Sequence, residues 1–251
     1  MEPITQAPNL GFTHFLSQTD EVGQTLFVVL VLMSIATWYL IIAKSVQAVL
    51  RKRRSAKFLH TFWNMPSLNA VERHLEDKHP DEPFSHLAYH GLVAVRHHAR
   101  HGVTRLDEAG TASEFLTRSM RRVIDEETAR LEWGLTVLAS VGSTAPFVGL
   151  FGTVWGVYHA LVAIGMSGQG TLDKVAGPVG EALIMTGAGL AVAIPAVLAY
   201  NAFVRSNRVV LAKLDAFAHD LFAFLTTGAH YSADVDSVAP KRTPQVVKGA
   251  A

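Results

Sequence analysis

The chain has 251 residues and no cysteine, so no disulfide can staple it and thiol usage says nothing about its redox compartment. No Lys or Arg precedes Lys44, which removes the basic leader that a cleavable signal peptide needs before its apolar run. Charge of either sign is sparse, at 17% against 49% apolar residues, and mean hydropathy is +0.24. Both depart from the average soluble domain in the apolar direction. The sparseness is uneven. Residues 22–43 and 133–172 carry no Asp, Glu, Lys or Arg, and residues 175–204 carry only Glu181. Since about 20 apolar residues cross a bilayer, the pattern predicts an all-α integral membrane protein with three transmembrane helices.

The first apolar run is longer than a signal-peptide core and lacks a small-residue cleavage site after it, so it reads as a retained anchor. Orientation follows from charge. Of the 22 Lys and Arg residues, fifteen lie between Lys44 and Arg130, Lys174 alone lies in the second connection, and six follow the third span. The positive-inside rule then sets the N-terminus outside and the large loop and C-terminus in the cytoplasm. The expected layout is an external arm (1–21), a first span (22–43) and a cytoplasmic helical region (44–132). A second span (133–164), an external loop (165–174), a third span (175–204) and a cytoplasmic helix with a disordered tail (205–251) complete it. The basic run Arg51-Lys52-Arg53-Arg54 abuts the first span, and with a net charge of +1 it reads as a topology signal rather than a nucleic-acid patch.

Several local signals refine this plan. LGFTHFL in the arm suits a weak amphipathic turn at the membrane surface, and His79-Pro80-Asp81-Glu82-Pro83 marks a break. Phe115, Leu116, Met120, Val123 and Ile124 have helical spacing, with opposite charges at i,i+4 in Arg121/Asp125, Arg122/Glu126 and Glu126/Arg130. No breaker separates them from Trp133, so the second span is expected to run below the membrane as one rod, and residues 205–224 to extend the third. His86, His90, His97 and His101 fall on one helical arc opposite Ala88, Leu92 and Val95. That stripe is expected to be a solvated polar face; metal binding and a response to cytoplasmic pH are its alternatives. No metal or cofactor is expected.

The later spans carry Gly149, Gly152 and Gly156, then Gly180, Gly187, Ala188, Gly189 and Ala191, small residues that let helices approach closely in lipid, with Gly149, Gly152, Gly156 and Gly187 the candidate packing glycines. Pro146 and Pro195 sit inside spans, where neighbours can satisfy the carbonyls they free. Glu181 stands out among them. A carboxylate at that depth costs about 2.5–3.5 kcal/mol even on lenient scales, so it pairs, protonates or faces water. Thr153 and Thr186 bear hydroxyls that both donate and accept, and so can hold a water or pass a proton beside a carboxyl group. Their simpler reading is a bond to the carbonyl one turn back. His159, near the outer end of the second span, reads as an interfacial side chain. Glu181, Thr153 and Thr186 are therefore the candidate proton pathway, and no nucleophile and base stand together as an enzyme would require.

ASVGSTAPFVGLFGTVWGVYHAL, followed by GEALIMTGAGLAVAIPAVLAYNAF, resembles the paired signature of the ExbB/TolQ/MotA family of proton-channel subunits, its ExbB branch most closely. The three-span layout argues against the four-span MotA-type members. The resemblance implies a homopentamer whose pore holds ExbD transmembrane helices and which energises TonB, coupling proton-motive force to transport across the outer membrane, siderophore uptake included. It carries the pore glutamate onto Glu181 and the two pore threonines onto Thr153 and Thr186. Where many members read APGIAEALLATAIGL this chain reads AGPVGEALIMTGAGL, with Gly177 and Pro178 inverted and Gly189 added. A TolQ-like subunit of a Tol-Pal motor is the alternative within the family. A solute transporter component and a passive membrane scaffold are the alternatives outside it.

Overall fold

The computed structural model describes residues 20–65, 68–77, 82–101, 111–167 and 172–227. The arm before Asp20, the tail after Thr227 and the break at 78–81 lie outside the described residues. Among the described residues six helices follow in order: α1 Glu21–Trp63, α2 Leu68–Asp77, α3 Pro83–His101, α4 Ala112–Glu132, α5 Leu135–Ser167 and α6 Leu172–Thr227. No strand occurs among the described residues. Among the described residues three helical stretches are long and apolar enough to cross a membrane: α1, the stretch Ala112–Met166 that joins α4 to α5, and Ala182–Thr227 of α6.

Local chemistry sets most helix ends. Asp20 caps α1, its Oδ1 accepting from the Gly23 N–H at 3.0 Å, which satisfies one of the amide donors a helix start leaves free. No Gly or Pro follows Gly23 until Pro66, so α1 continues 43 residues, past Lys44. Pro83 opens α3, where its missing N–H costs nothing, and the Glu82 carboxylate accepts from the Ser85 N–H at 2.9 Å. Thr111 and Glu114 form a capping box at α4: Glu114 N–H donates to Thr111 Oγ1 at 3.3 Å and Thr111 N–H to Glu114 Oε2 at 2.9 Å.

The rod expected through Trp133 is interrupted. Gly134 adopts φ +75 and separates α4 from α5, because a glycine enters the left-handed region at little cost and ends a helix there. The Leu131 carbonyl accepts instead from Lys44 Nζ at 2.9 Å and Asn207 Nδ2 at 2.7 Å. Lys44, which the sequence marks as the first cytoplasmic charge, is buried in this way.

The described residues form two compact units. One comprises α1, the end of α4 from Asp125, α5 and α6 to Lys213. Its core joins Leu30 of α1, Val141 and Ala145 of α5, and Met185, Val192, Ala193 and Ala196 of α6. A second cluster gathers Leu40, Leu135 and Leu138. In the most apolar windows of the three long helices only 17, 22 and 33% of residues are buried, so most apolar surface is left for lipid or partner chains.

The other unit comprises α2, α3, the start of α4 and α6 from Leu214. Phe84 of α3 packs edge-on to Phe217 at 5.6 Å, and Arg96 pairs with Glu72. Here the structure corrects the solvated histidine face. His86 is 9% exposed, its ring meets that of His90 at 4.7 Å, and His97 and His98 stack on Phe115 of α4. Helix α3 has neighbours on more than one side, so the arc opposite Leu92 is buried at His86 and half-buried at His90 and His97. The side chain of His101 lies outside the described ones.

Candidate functional site

Helices α5 and α6 cross on glycine. A Cβ placed on Gly149 would stand 2.6 Å from the Met185 carbonyl oxygen and 3.0 Å from Gly189 Cα, and one on Gly189 would stand 2.6 Å from the Ala145 carbonyl oxygen. Main chains therefore touch main chains. Gly152 seats Met185 and Gly156 seats Ala182, with Cβ approaches of 2.7 and 3.0 Å. Gly149, Gly152 and Gly156 thus share one face, at the three- and four-residue steps that align side chains along a helix. Gly187 and Gly180 have nothing within 4 Å. Gly189, not Gly187, makes the crossing, and its signal in the sequence is its place beside Ala188 and Ala191. Helix α5 runs through Pro146, and α6 through Gly177, Pro178 and Pro195.

This close approach brings Thr153 against α6. Its Oγ1 lies 3.1 Å from the Gly149 carbonyl oxygen, 3.0 Å from the Ala182 carbonyl oxygen and in a short contact with Thr186 Oγ1. The bond to the carbonyl one turn back is present, and so is the bridge to the neighbouring helix. A hydroxyl carries one proton and two lone pairs. Thr153 therefore donates toward the two carbonyls while accepting from the Thr186 hydroxyl, an arrangement that serves every oxygen of the group. Two of the three residues singled out from sequence thus touch. Glu181 precedes Ala182 on α6, so its backbone sits beside this bridge; its side chain lies outside the described ones.

A second polar group is invisible in the sequence. Asp20 accepts from the Trp155 indole Nε1 at 2.6 Å with the oxygen that does not cap α1. His159 places its ring 4.6 Å from that of Trp155 and Nδ1 3.2 Å from the Trp155 carbonyl oxygen. Burial works against the Asp20 charge, but the indole, the Gly23 N–H and the nearby His159 outweigh it, and its pKa falls below the usual carboxylate value. No local spacing relates Asp20 to Trp155, 135 positions on.

The sequence model of the MotA/TolQ/ExbB proton channel family matches residues 80–216. The "Biopolymer transport protein ExbB" of Xanthomonas campestris pv. campestris is 42% identical over 235 residues, covering 90% of this chain and 93% of that protein. The protein of the same name from Neisseria meningitidis is 44% identical over 203 residues, covering 80% and 91%. The "Tol-Pal system protein TolQ" of Pseudomonas aeruginosa is 33% identical over 221 residues, covering 87% and 94%.

Proposed function

Since the chain belongs to the MotA/TolQ/ExbB proton channel family, we propose that it is the proton-channel subunit of an inner-membrane TonB-ExbB-ExbD motor, with Glu181 as the proton carrier. The observation that carries this reading is the Thr153–Thr186 bridge over the Ala182 carbonyl, one residue from the only acid in residues 175–204. An acid drawn out of water favours its neutral form, and hydroxyls beside it supply both a donor and an acceptor for the arriving and leaving proton. A proton from the periplasm neutralises Glu181, the neutral acid passes the low-dielectric zone, and the proton leaves toward the cytoplasm. The electrical drive is about 2.3 kcal/mol per charge per 100 mV, so a large mechanical step needs several protons.

The assembly in this reading is a homopentamer around ExbD helices, with the N-terminus periplasmic, the C-terminus cytoplasmic and TonB as the energised partner. The choice of ExbB over TolQ rests on 42 and 44% identity to the Xanthomonas campestris and Neisseria meningitidis proteins named ExbB, against 33% to the Pseudomonas aeruginosa TolQ. Glu181→Gln preserves shape and removes titration. It is expected to assemble normally and to abolish uptake that depends on the proton gradient; uptake at the wild-type level in that variant refutes the carrier role. Recovery of ExbD and TonB with the purified protein supports the assignment within the family, and recovery of TolR and TolA instead transfers the chain to the Tol-Pal system.

A further inference from the structure

The outward side of α1 forms one continuous stripe that changes character at a single level. Val28, Leu32, Ile35, Tyr39, Ile42, Val46 and Leu50 are all exposed, the least of them by 47%. Their spacing of three and four residues keeps them on one face. From Val28 to Leu50 the stripe runs about 33 Å at ~1.5 Å per residue, close to the ~30 Å of a bilayer's hydrocarbon. The same face then continues through Arg53 and Lys57, both exposed. Lys44 does not mark the inner boundary. It points to the other side of α1, where its ammonium is spent on the Leu131 carbonyl. Arg53 and Lys57 are thus the first cations that the outward face offers below its apolar length, and they stand at i,i+4, where like charges repel. Neither is held by an ion pair among the described residues.

We infer that Arg53 and Lys57 form a headgroup site for anionic phospholipid of the inner leaflet, with acyl chains lying along Val46 and Leu50. An anionic headgroup between the two cations replaces their repulsion by two charge-assisted hydrogen bonds. The inference rests on the proposed orientation of the chain, with the end of α1 on the cytoplasmic side. Each basic side chain near an anionic surface strengthens binding about fivefold, so losing both weakens lipid retention about 25-fold.

The test is native mass spectrometry of the full-length protein from nanodiscs of mixed phosphatidylglycerol and phosphatidylcholine. Wild type is expected to retain phosphatidylglycerol preferentially, and the double variant Arg53→Gln with Lys57→Gln to lose the preference while inserting at normal yield. The paired variant Arg121→Gln with Arg122→Gln, on α4, keeps it. Equal retention by wild type and the α1 double variant overturns the site. An unchanged lipid profile with an altered number of subunits also overturns it, and gives the stripe to a second copy of the chain. Labelling of a cysteine introduced at position 57 from the periplasm overturns the orientation. Lipid preference that persists while Glu181→Gln transports normally leaves this site standing and removes the proposed proton role.

Discussion

Replacing Gly149 by alanine gives the sharpest measure of the α5–α6 crossing. The new methyl would lie 2.6 Å from the Met185 carbonyl oxygen and 3.0 and 3.3 Å from Gly189 Cα and N. All three are main-chain atoms inside a helix, so no rotamer relieves the clash. A comfortable carbon–oxygen contact is about 3.3 Å or more, and the helices must part by ~0.7 Å at that point. Thr153 sits one turn along the same face. Its 3.0 Å approach to the Ala182 carbonyl oxygen would stretch to ~3.7 Å, past the length of a hydrogen bond. Overpacking costs about 1–3 kcal/mol and the lost interhelical bond ~0.6 kcal/mol. The alanine recovers ~1 kcal/mol of helix propensity. The balance is a loss of about 0.6–2.6 kcal/mol.

The internal control is Gly187→Ala, two residues before Gly189, with nothing within 4 Å of its Cβ. It keeps only the propensity gain. Gly152→Ala belongs between them, because its close neighbour is the flexible end of Met185. Equilibrium unfolding of the purified variants in mild detergent, paired with proton-driven uptake, should rank Gly149→Ala and Gly189→Ala together as the most damaging, then Gly152→Ala, then Gly187→Ala. If Gly149→Ala and Gly187→Ala unfold alike, the helices do not cross at Gly149 and Gly189, and the placement of Thr153 against Ala182 falls with that crossing.

The other predictions use the same principles. Thr153→Val keeps the volume and deletes the hydroxyl; it is expected to lower uptake at least tenfold, equivalent to ~1.4 kcal/mol on the barrier, with assembly retained, and wild-type flux would refute the relay. Lys44→Met and Asn207→Ala are each expected to cost about 1 kcal/mol and together ~3 kcal/mol, because only the double variant leaves the Leu131 carbonyl without a side-chain donor; strict additivity in an unfolding cycle would refute the shared acceptor. Gly134→Ala is expected to cost about 1–2 kcal/mol for its left-handed backbone, measured by the same unfolding assay. Asp20 has a folded pKa below its unfolded one, so its stabilisation is complete above the unfolded value near ~3.9 and is lost as pH falls through the folded value. The stability gap between wild type and Asp20→Asn should therefore be constant at neutral pH and close only at the acid end, and a gap that already closes near neutral pH would refute the Asp20 assignment.

What could be read from the sequence divides along physical lines. The three spans were legible because the cost of burying charge in hydrocarbon shows in composition alone, whatever packs beside the helix. The face of Gly149, Gly152 and Gly156 was legible for a related reason: contact in lipid selects small residues, and helical spacing aligns them. Choosing Gly189 over Gly187 on the other helix was beyond such reasoning, since both are small and only the crossing point separates them. Asp20 against Trp155, and Lys44 with Asn207 on the Leu131 carbonyl, depend on contacts between residues 135, 87 and 76 positions apart, for which local periodicity holds no information. The histidine arc of α3 failed differently. Its periodicity was read against one apolar side, as for a surface helix, yet a helix packed on several sides also hides part of its polar arc, here His86. Gly134 lay within a run of good helix formers, and its role emerges only from the two donors that α1 and α6 bring to the carbonyl it releases. A lone glycine in a helical pattern thus reads as a tolerated cost until a distant cation is found waiting for the freed oxygen, and the Lys44–Asn207 cycle distinguishes those two readings directly.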